Sequence, residues 1–115
     1  LSDSGAGADK VQQVYDAAIE SSTEPTVEAQ YYIFKSSAYI NEKQYDQAFE
    51  AASKAESLSP SKNTAAELAE IYVLKNDKPN AIKYFQLAIE RAGDPTDNSN
   101  YVVEYYQQRI TELEA

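Results

Sequence analysis

The chain of 115 residues contains no cysteine, histidine, methionine or tryptophan. Without cysteine and histidine it can form no disulfide, no thiolate nucleophile, no imidazole base and no zinc site built on those ligands. The common nucleophile–base pairs are therefore missing, and carboxylate pairs such as Glu67 and Glu70 stand one helical turn apart on what we expect to be a solvated face. We expect the protein not to be an enzyme, and we expect no cofactor and no metal.

Oxygen-bearing side chains crowd the stretch of residues 94–100, which raises the alternative of a calcium loop. An EF-hand loop counted from Asp94 would need glycine at its sixth position and an acidic residue at its twelfth. Those positions hold Ser99 and Tyr105. A turn with helix-capping Asp and Asn side chains is therefore the interpretation that we favour.

Basic residues are scarce: 10 Lys and Arg stand against 19 Asp and Glu, for a net charge of −9. Nucleic-acid binding needs a basic surface, and anionic membrane surfaces also attract cations, so we expect neither partner. No apolar run approaches the roughly 18 residues of a membrane helix, so we expect no membrane insertion. The acidity favours solubility, and among ligands it favours basic or neutral ones.

No segment alternates with a period of two, whereas apolar residues recur at helical spacing from about residue 8 onward. The pattern predicts an all-α domain over residues 8–115, preceded by a disordered linker over residues 1–7. Thr26 is expected to cap the second helix, and Ser59 or Ser61 the fourth. The short turns predict antiparallel helical hairpins. The helices expected are a first one that ends before Pro25, and further ones over about 26–41, 45–57, 62–75, 79–92 and 99–113.

The chain repeats itself after 33 residues, a shift that places Tyr39 on Tyr72 and Ala48 on Ala81. A period of this length, with small and aromatic residues at fixed places, is typical of a helical repeat protein. Such repeats stack and present extended surfaces, which usually bind other proteins.

The residues at these places resemble the tetratricopeptide repeat family, whose pattern is aromatic-x2-Leu-Gly-x2-Tyr followed by Ala-x3-Phe and Pro. The resemblance implies a short right-handed α-solenoid of about six helices, with large tyrosine rings between hairpins. It also implies that the first helix is the second half of a degenerate repeat and the last is a terminal cap. The residues that carry it are Tyr32, Lys35, Ser36, Tyr39, Ala48, Ala52 and Pro60 in one repeat, and Ala65, Leu68, Ala69, Tyr72, Ala81, Phe85, Gly93 and Pro95 in the next.

In this family the first helices of successive hairpins line a concave groove. By that resemblance the partner-binding face here consists of Ile33, Ser37, Ile40, Asn41, Ala66, Glu67, Glu70, Val73 and Leu74, with Tyr101 and Tyr105 as the far wall. Such a face suits a short helix or extended segment with apolar anchors and a Lys or Arg. An acidic C-terminal peptide is disfavoured, because no cation stands at these positions. The alternative is that Ile40, Val73 and Leu74 pack against neighbouring helices.

Two functions follow from the sequence. The first is a non-catalytic protein-interaction module that holds a protein or peptide, apolar or basic, in its groove. The second is a structural solenoid segment of a larger protein or an oligomeric, cell-envelope assembly, in which self-association replaces a separate ligand. The missing start methionine, the linker-like N-terminus and the absence of cysteine fit a mature periplasmic or envelope protein, which is the interpretation that we favour, although an excised cytosolic domain fits them as well.

Overall fold

The computed structural model describes residues 4–93 and 100–115, with side chains from residue 12 to 93 and from 101 onward. Over these residues the chain forms six helices and no strand, which confirms the all-α prediction. Most helix bounds lie within a residue or two of those expected from periodicity. The turn expected at residues 94–100, and the calcium loop weighed against it, lie outside the described residues except for Asn100, where the last helix begins. The helices are α1 (Ser4–Ser21), α2 (Pro25–Asn41), α3 (Tyr45–Leu58), α4 (Lys62–Leu74), α5 (Lys78–Ala92) and α6 (Asn100–Glu114).

Helix α1 begins upstream of the boundary drawn from composition. The linker was expected over residues 1–7, whereas the helix already includes residues 4–7; residues 1–3 lie outside the described residues. Linker composition does not by itself forbid a helix here, because Ala6 and Ala8 are strong helix formers. Once a helix is nucleated downstream, each further residue adds one hydrogen bond at its end.

Helices α2 and α4 end with the same backbone motif, one repeat apart. The amide of Gln44 bonds to the Tyr39 carbonyl at 2.9 Å, and the amide of Asp77 bonds to the Tyr72 carbonyl at 2.8 Å. The residue before each amide has a left-handed backbone, with φ of 60° at Lys43 and 62° at Asn76. This is the Schellman arrangement, in which a left-handed residue lets the chain turn while it satisfies the last carbonyls of the helix. It reverses the chain into α3 and α5.

The helix starts differ in how well they are capped. Helix α4 has a reciprocal capping box, in which Ser61 and Thr64 each accept the other's backbone amide, so Ser61 is the cap as predicted. Asp77 caps α5 through the amide of Asn80. The prediction for Thr26 was wrong: the N-cap of α2 is Glu24 and Pro25 is the first helical residue, a position where its missing amide has no helical partner to lose.

The chain divides into two compact units, Leu1–Pro60 and Ser61–Ala115. In the first unit α1 packs on α2, and α2 on α3 as a hairpin. The amide of Gln12 donates to the Lys35 carbonyl, and the Lys35 ammonium lies 2.6 Å from Asp16, which ties α1 to α2. Close approach of the helices depends on small side chains, because the buried residues of this unit are mostly Ala29, Ser36, Ala48, Ala51, Ala52 and Ala55.

In the second unit α4 and α5 form a hairpin, and α6 packs on α5. Its core brings Phe85 and Tyr106 together, with ring centroids 6.0 Å apart, over the small side chains Ala65, Ala69 and Ala88. Tyr72 was expected between hairpins. It is half-buried, and its ring stacks on Tyr84 of its own hairpin at 5.5 Å. The Arg91 guanidinium donates to the Ser61 carbonyl, so the end of α5 is fastened to the start of α4.

Candidate functional site

A pocket of about 430 Å³ opens between α4 and α6 within the second unit. Helix α4 contributes Ala66 and Glu70, which stand one turn apart on the same face. Helix α6 contributes the rest of the wall. Apart from the Glu70 carboxylate and the tyrosine hydroxyls, the lining is apolar. It consists of Ala66, Glu70, Tyr101, Val102, Tyr105 and Tyr106.

The tyrosines of the pocket differ sharply in burial. Tyr106 is only 7% exposed and belongs to the core, whereas Tyr101 is 71% exposed and Tyr105 is 50% exposed. Adjacent rings on a helix point to different faces, so the sequence predicts that at least one of Tyr105 and Tyr106 is partly exposed, and Tyr105 is. Two largely exposed rings at the mouth of an apolar pocket are typical of contact surfaces, where tyrosine is enriched.

Glu70 is held by two residues of α6. Its carboxylate accepts two hydrogen bonds from the Arg109 guanidinium, at 2.6 Å to Nη2 and 3.3 Å to Nε. It also accepts the Tyr105 hydroxyl at 3.2 Å. Arg109 is fixed in turn by Glu112 at 3.1 Å and lies over the Phe85 ring at 5.6 Å. A two-point Arg–carboxylate pair fixes orientation as well as distance, so it positions α6 against α4.

The same contacts shift the ionisation of their members. The hydrogen bonds that Arg109 donates to the Glu70 carboxylate, and secondarily to Glu112, raise the pKa of Arg109, so its guanidinium is positively charged across the physiological range. Burial, together with the negative charge of Glu70, raises the pKa of Tyr105. Burial also raises the pKa of Tyr106. Both phenols therefore stay neutral across the physiological range and act as hydrogen-bonding, uncharged parts of the pocket.

The structure places the predicted partner-binding residues in several environments. Ala66, Glu70, Tyr101 and Tyr105 come together around the pocket. Val73 packs against the core of the second unit, as the packing alternative proposed, while Leu74 is 39% exposed and Glu67 is half-buried. On α2, Ile33 and Ile40 are half-buried, and Ser37 and Asn41 are exposed.

The sequence reasoning missed Arg109, and with it the charge of the site. The positions named from the sequence carry no cation, but the cation Arg109 reaches the Glu70 carboxylate from α6. The signal was available: Tyr101, Tyr105 and Arg109 follow one another at spacings of four, which places them on one helix face. Val102 and Tyr106, the other missed lining residues, lie on the neighbouring face of α6.

A second, more polar pocket of about 330 Å³ lies between α2 and α3 in the first unit. It is lined by Tyr32, Lys35, Tyr39, Gln47, Glu50, Ala51 and Lys54. Among the side chains that the structure describes, no group of three acidic residues lies close enough to hold a metal ion. None of the helices in the described part of the chain is long and apolar enough to cross a membrane.

A family model for the tetratricopeptide repeat matches residues 29–62 and again residues 64–95, more than half of the chain. The chain therefore belongs to the tetratricopeptide repeat family, as the residue pattern predicts. The matched stretches cover most of the α2–α3 and α4–α5 hairpins. Members of the family are helical-hairpin solenoids that generally mediate protein–protein interactions without catalysis. A comparison with curated protein sequences gives no significant match.

Proposed function

We propose that the protein is a non-catalytic interaction module that binds a segment of a partner protein, with the pocket between α4 and α6 accepting an apolar side chain of that segment. The observation that carries the proposal is the pocket itself: an apolar recess of about 430 Å³ with two largely exposed tyrosine rings at its mouth. Recesses of this size and lining suit a single bulky anchor of a helix or extended peptide.

The proposal includes the predicted residues of α2 and the family's mode of binding in a concave groove. Ile33, Ser37, Ile40 and Asn41 occupy the same repeat positions as Ala66, Glu70, Val73 and Leu74, one period earlier in the sequence. We therefore propose the α2 residues as the equivalent binding face of the first repeat. Substitution of Ile33 by Asp tests this part separately, because it adds a charge on α2 and leaves the α4–α6 pocket intact.

The partner segment that we propose is apolar at its anchor and neutral or basic elsewhere. The net charge of −9 supports this preference, because a field of that sign speeds the approach of cationic segments and slows that of anionic ones. Added salt should therefore lower the association rate of a basic segment and change its dissociation rate little.

Tyr101→Ser is the experiment that tests the proposed site. Segments selected from a random peptide library on the intact protein should bind the Tyr101→Ser variant at least about tenfold more weakly, because the variant removes a ring from the mouth of the pocket. The fold should be little affected, since this side chain is 71% exposed. Affinities measured by titration calorimetry decide the outcome.

Val14→Ser is the matched control. Val14 is also an exposed apolar side chain, 66% accessible, but it lies on α1 in the other unit. The Val14→Ser variant should bind the selected segments with the affinity of the unchanged protein. If Tyr101→Ser binds them equally well, or if no segment is selected at all, the pocket is not a binding site. A mass that grows with concentration would then favour the alternative, a structural segment that self-associates.

A further inference from the structure

The Glu70 side chain is the only carboxylate among the described residues that line the α4–α6 pocket. Left alone, a half-buried carboxylate in an apolar wall would draw a Lys or Arg of the partner, because charges attract more strongly where water is scarce. The sequence suggested such a preference. The structure changes it, because the carboxylate already accepts two hydrogen bonds from Arg109 and one from Tyr105.

The Arg109 side chain is held by several contacts at once. Its guanidinium bonds to Glu70 and Glu112 and lies over the Phe85 ring. A partner cation that took Glu70 would have to displace a planar group that already fits the carboxylate with two parallel bonds. Arg109 does not itself line the pocket, so it balances the charge of the wall without offering its own charge to the occupant.

We propose that Arg109 determines the charge of the side chain that the pocket accepts: by neutralising Glu70 it makes the pocket select an uncharged aromatic or aliphatic anchor. This inference rests on the proposed function and sharpens it. The net acidity of the chain acts at long range and favours basic segments during approach, whereas the pair of Glu70 and Arg109 acts at contact and excludes a charged anchor. A bound segment would thus carry its basic residues outside the pocket and an apolar residue inside it.

The test is a selection from one random peptide library on three proteins: the unchanged chain, Arg109→Gln and Glu70→Gln. The unchanged chain should select aromatic or aliphatic anchors. Arg109→Gln leaves the carboxylate without its cation and should enrich Lys or Arg at the anchor position by about fivefold, the upper range for a partly exposed ion pair. Glu70→Gln leaves the guanidinium without its main acceptor and should enrich Asp, Glu or a C-terminal carboxylate by a similar factor.

The two variants shift the preference in opposite directions, which a mere loss of structure cannot do. The double variant Arg109→Gln/Glu70→Gln should return to apolar anchors. Lys83→Gln changes the net charge by the same unit as Arg109→Gln but lies on α5, so its selection should match that of the unchanged chain. Circular dichroism verifies that each variant is folded, and if Arg109→Gln is unfolded, Glu70→Gln alone decides.

Anchor preferences that stay the same in all folded variants would overturn the role of Arg109, provided that Tyr101→Ser still weakens binding of the selected segments. The proposed function would then stand with a different source of specificity. If Tyr101→Ser has no effect, the proposed site itself fails. The two failures are therefore distinguishable within one set of measurements.

Discussion

Ser36 and Ala69 occupy the same place in the two repeats, and both are fully buried. Their small size lets the helices of each hairpin approach closely, which is the reason that the repeat pattern has a small residue there. They differ by the hydroxyl group of Ser36. The Ser36 hydroxyl has no hydrogen-bond partner in the structure, and a buried polar atom without a partner costs free energy of folding.

Ser36→Ala should therefore raise the free energy of unfolding by about 1 kcal/mol, through loss of the unsatisfied hydroxyl and the higher helix propensity of alanine. Urea denaturation measures the change. Ser57→Ala is the control, since the Ser57 hydroxyl is exposed and donates to the Ser53 carbonyl, so that this variant removes no unsatisfied buried hydroxyl. A destabilised Ser36→Ala would show that the hydroxyl is satisfied in solution.

For single residues, the sequence predicts which positions of the repeat are small or aromatic better than it predicts which side chains contact each other. The small and aromatic places of the repeat could be predicted because their spacing is fixed by helix geometry. The partner of Glu70 could not, because Arg109 lies 39 positions away and only packing brings them together. Helical spacing places Arg109 on one face with Tyr101 and Tyr105, yet that face meets α4 only once the fold is known.

The turns between paired helices are the element that the two repeats share most closely. Both place a non-glycine residue in the left-handed region, Lys43 in one and Asn76 in the other. Glycine is the usual residue there, since a Cβ atom crowds the following carbonyl. Asparagine tolerates this backbone better than lysine does, so the first turn carries the greater strain.

Lys43→Gly should raise the free energy of unfolding by about 0.5 to 1 kcal/mol, because it relieves the crowding at positive φ. Asn76→Gly should gain less. Glu42→Gly, one residue earlier with φ of −93°, should instead lose stability, since glycine there only adds freedom to the unfolded chain. Thermal denaturation of the three variants gives the order. An equal loss of stability in all three variants would contradict the explanation that the left-handed backbone at Lys43 and Asn76 is strained.

Helix number and most helix bounds could be predicted from the sequence because apolar periodicity, proline and short polar turns all indicate the same boundaries. The two misses have local causes. Residues 4–7 have the composition of a linker, although Ala6 among them and Ala8 just after them favour a helix, and Thr26 is displaced as a cap because Pro25 already fits the first helical position. At the start of a helix, local composition and capping preference can indicate different first residues, and the sequence does not show which of them sets the boundary.

For the whole molecule, the 33-residue repeat predicts the family and the fold class, but it does not predict the partner. Two adjacent tetratricopeptide matches explain the hairpins and the general role in protein interaction. In the proposed function, the choice of segment depends on the pocket between α4 and α6, whose lining combines two helices of the second unit. The sequence predicted its exposed tyrosines but not its neutralised carboxylate, since the charge of a site is a property of packed neighbours.

The central claim is that a partner segment binds in the α4–α6 pocket, and amide chemical-shift mapping of the intact chain tests it most directly. A peptide selected on the protein is titrated into isotope-labelled chain while every backbone amide is followed. We expect the largest shifts at Ala66, Glu70, Tyr101 and Tyr105. Shifts confined to exposed α5 residues such as Lys83, Gln86 and Glu90, with the pocket amides unchanged, would contradict the account.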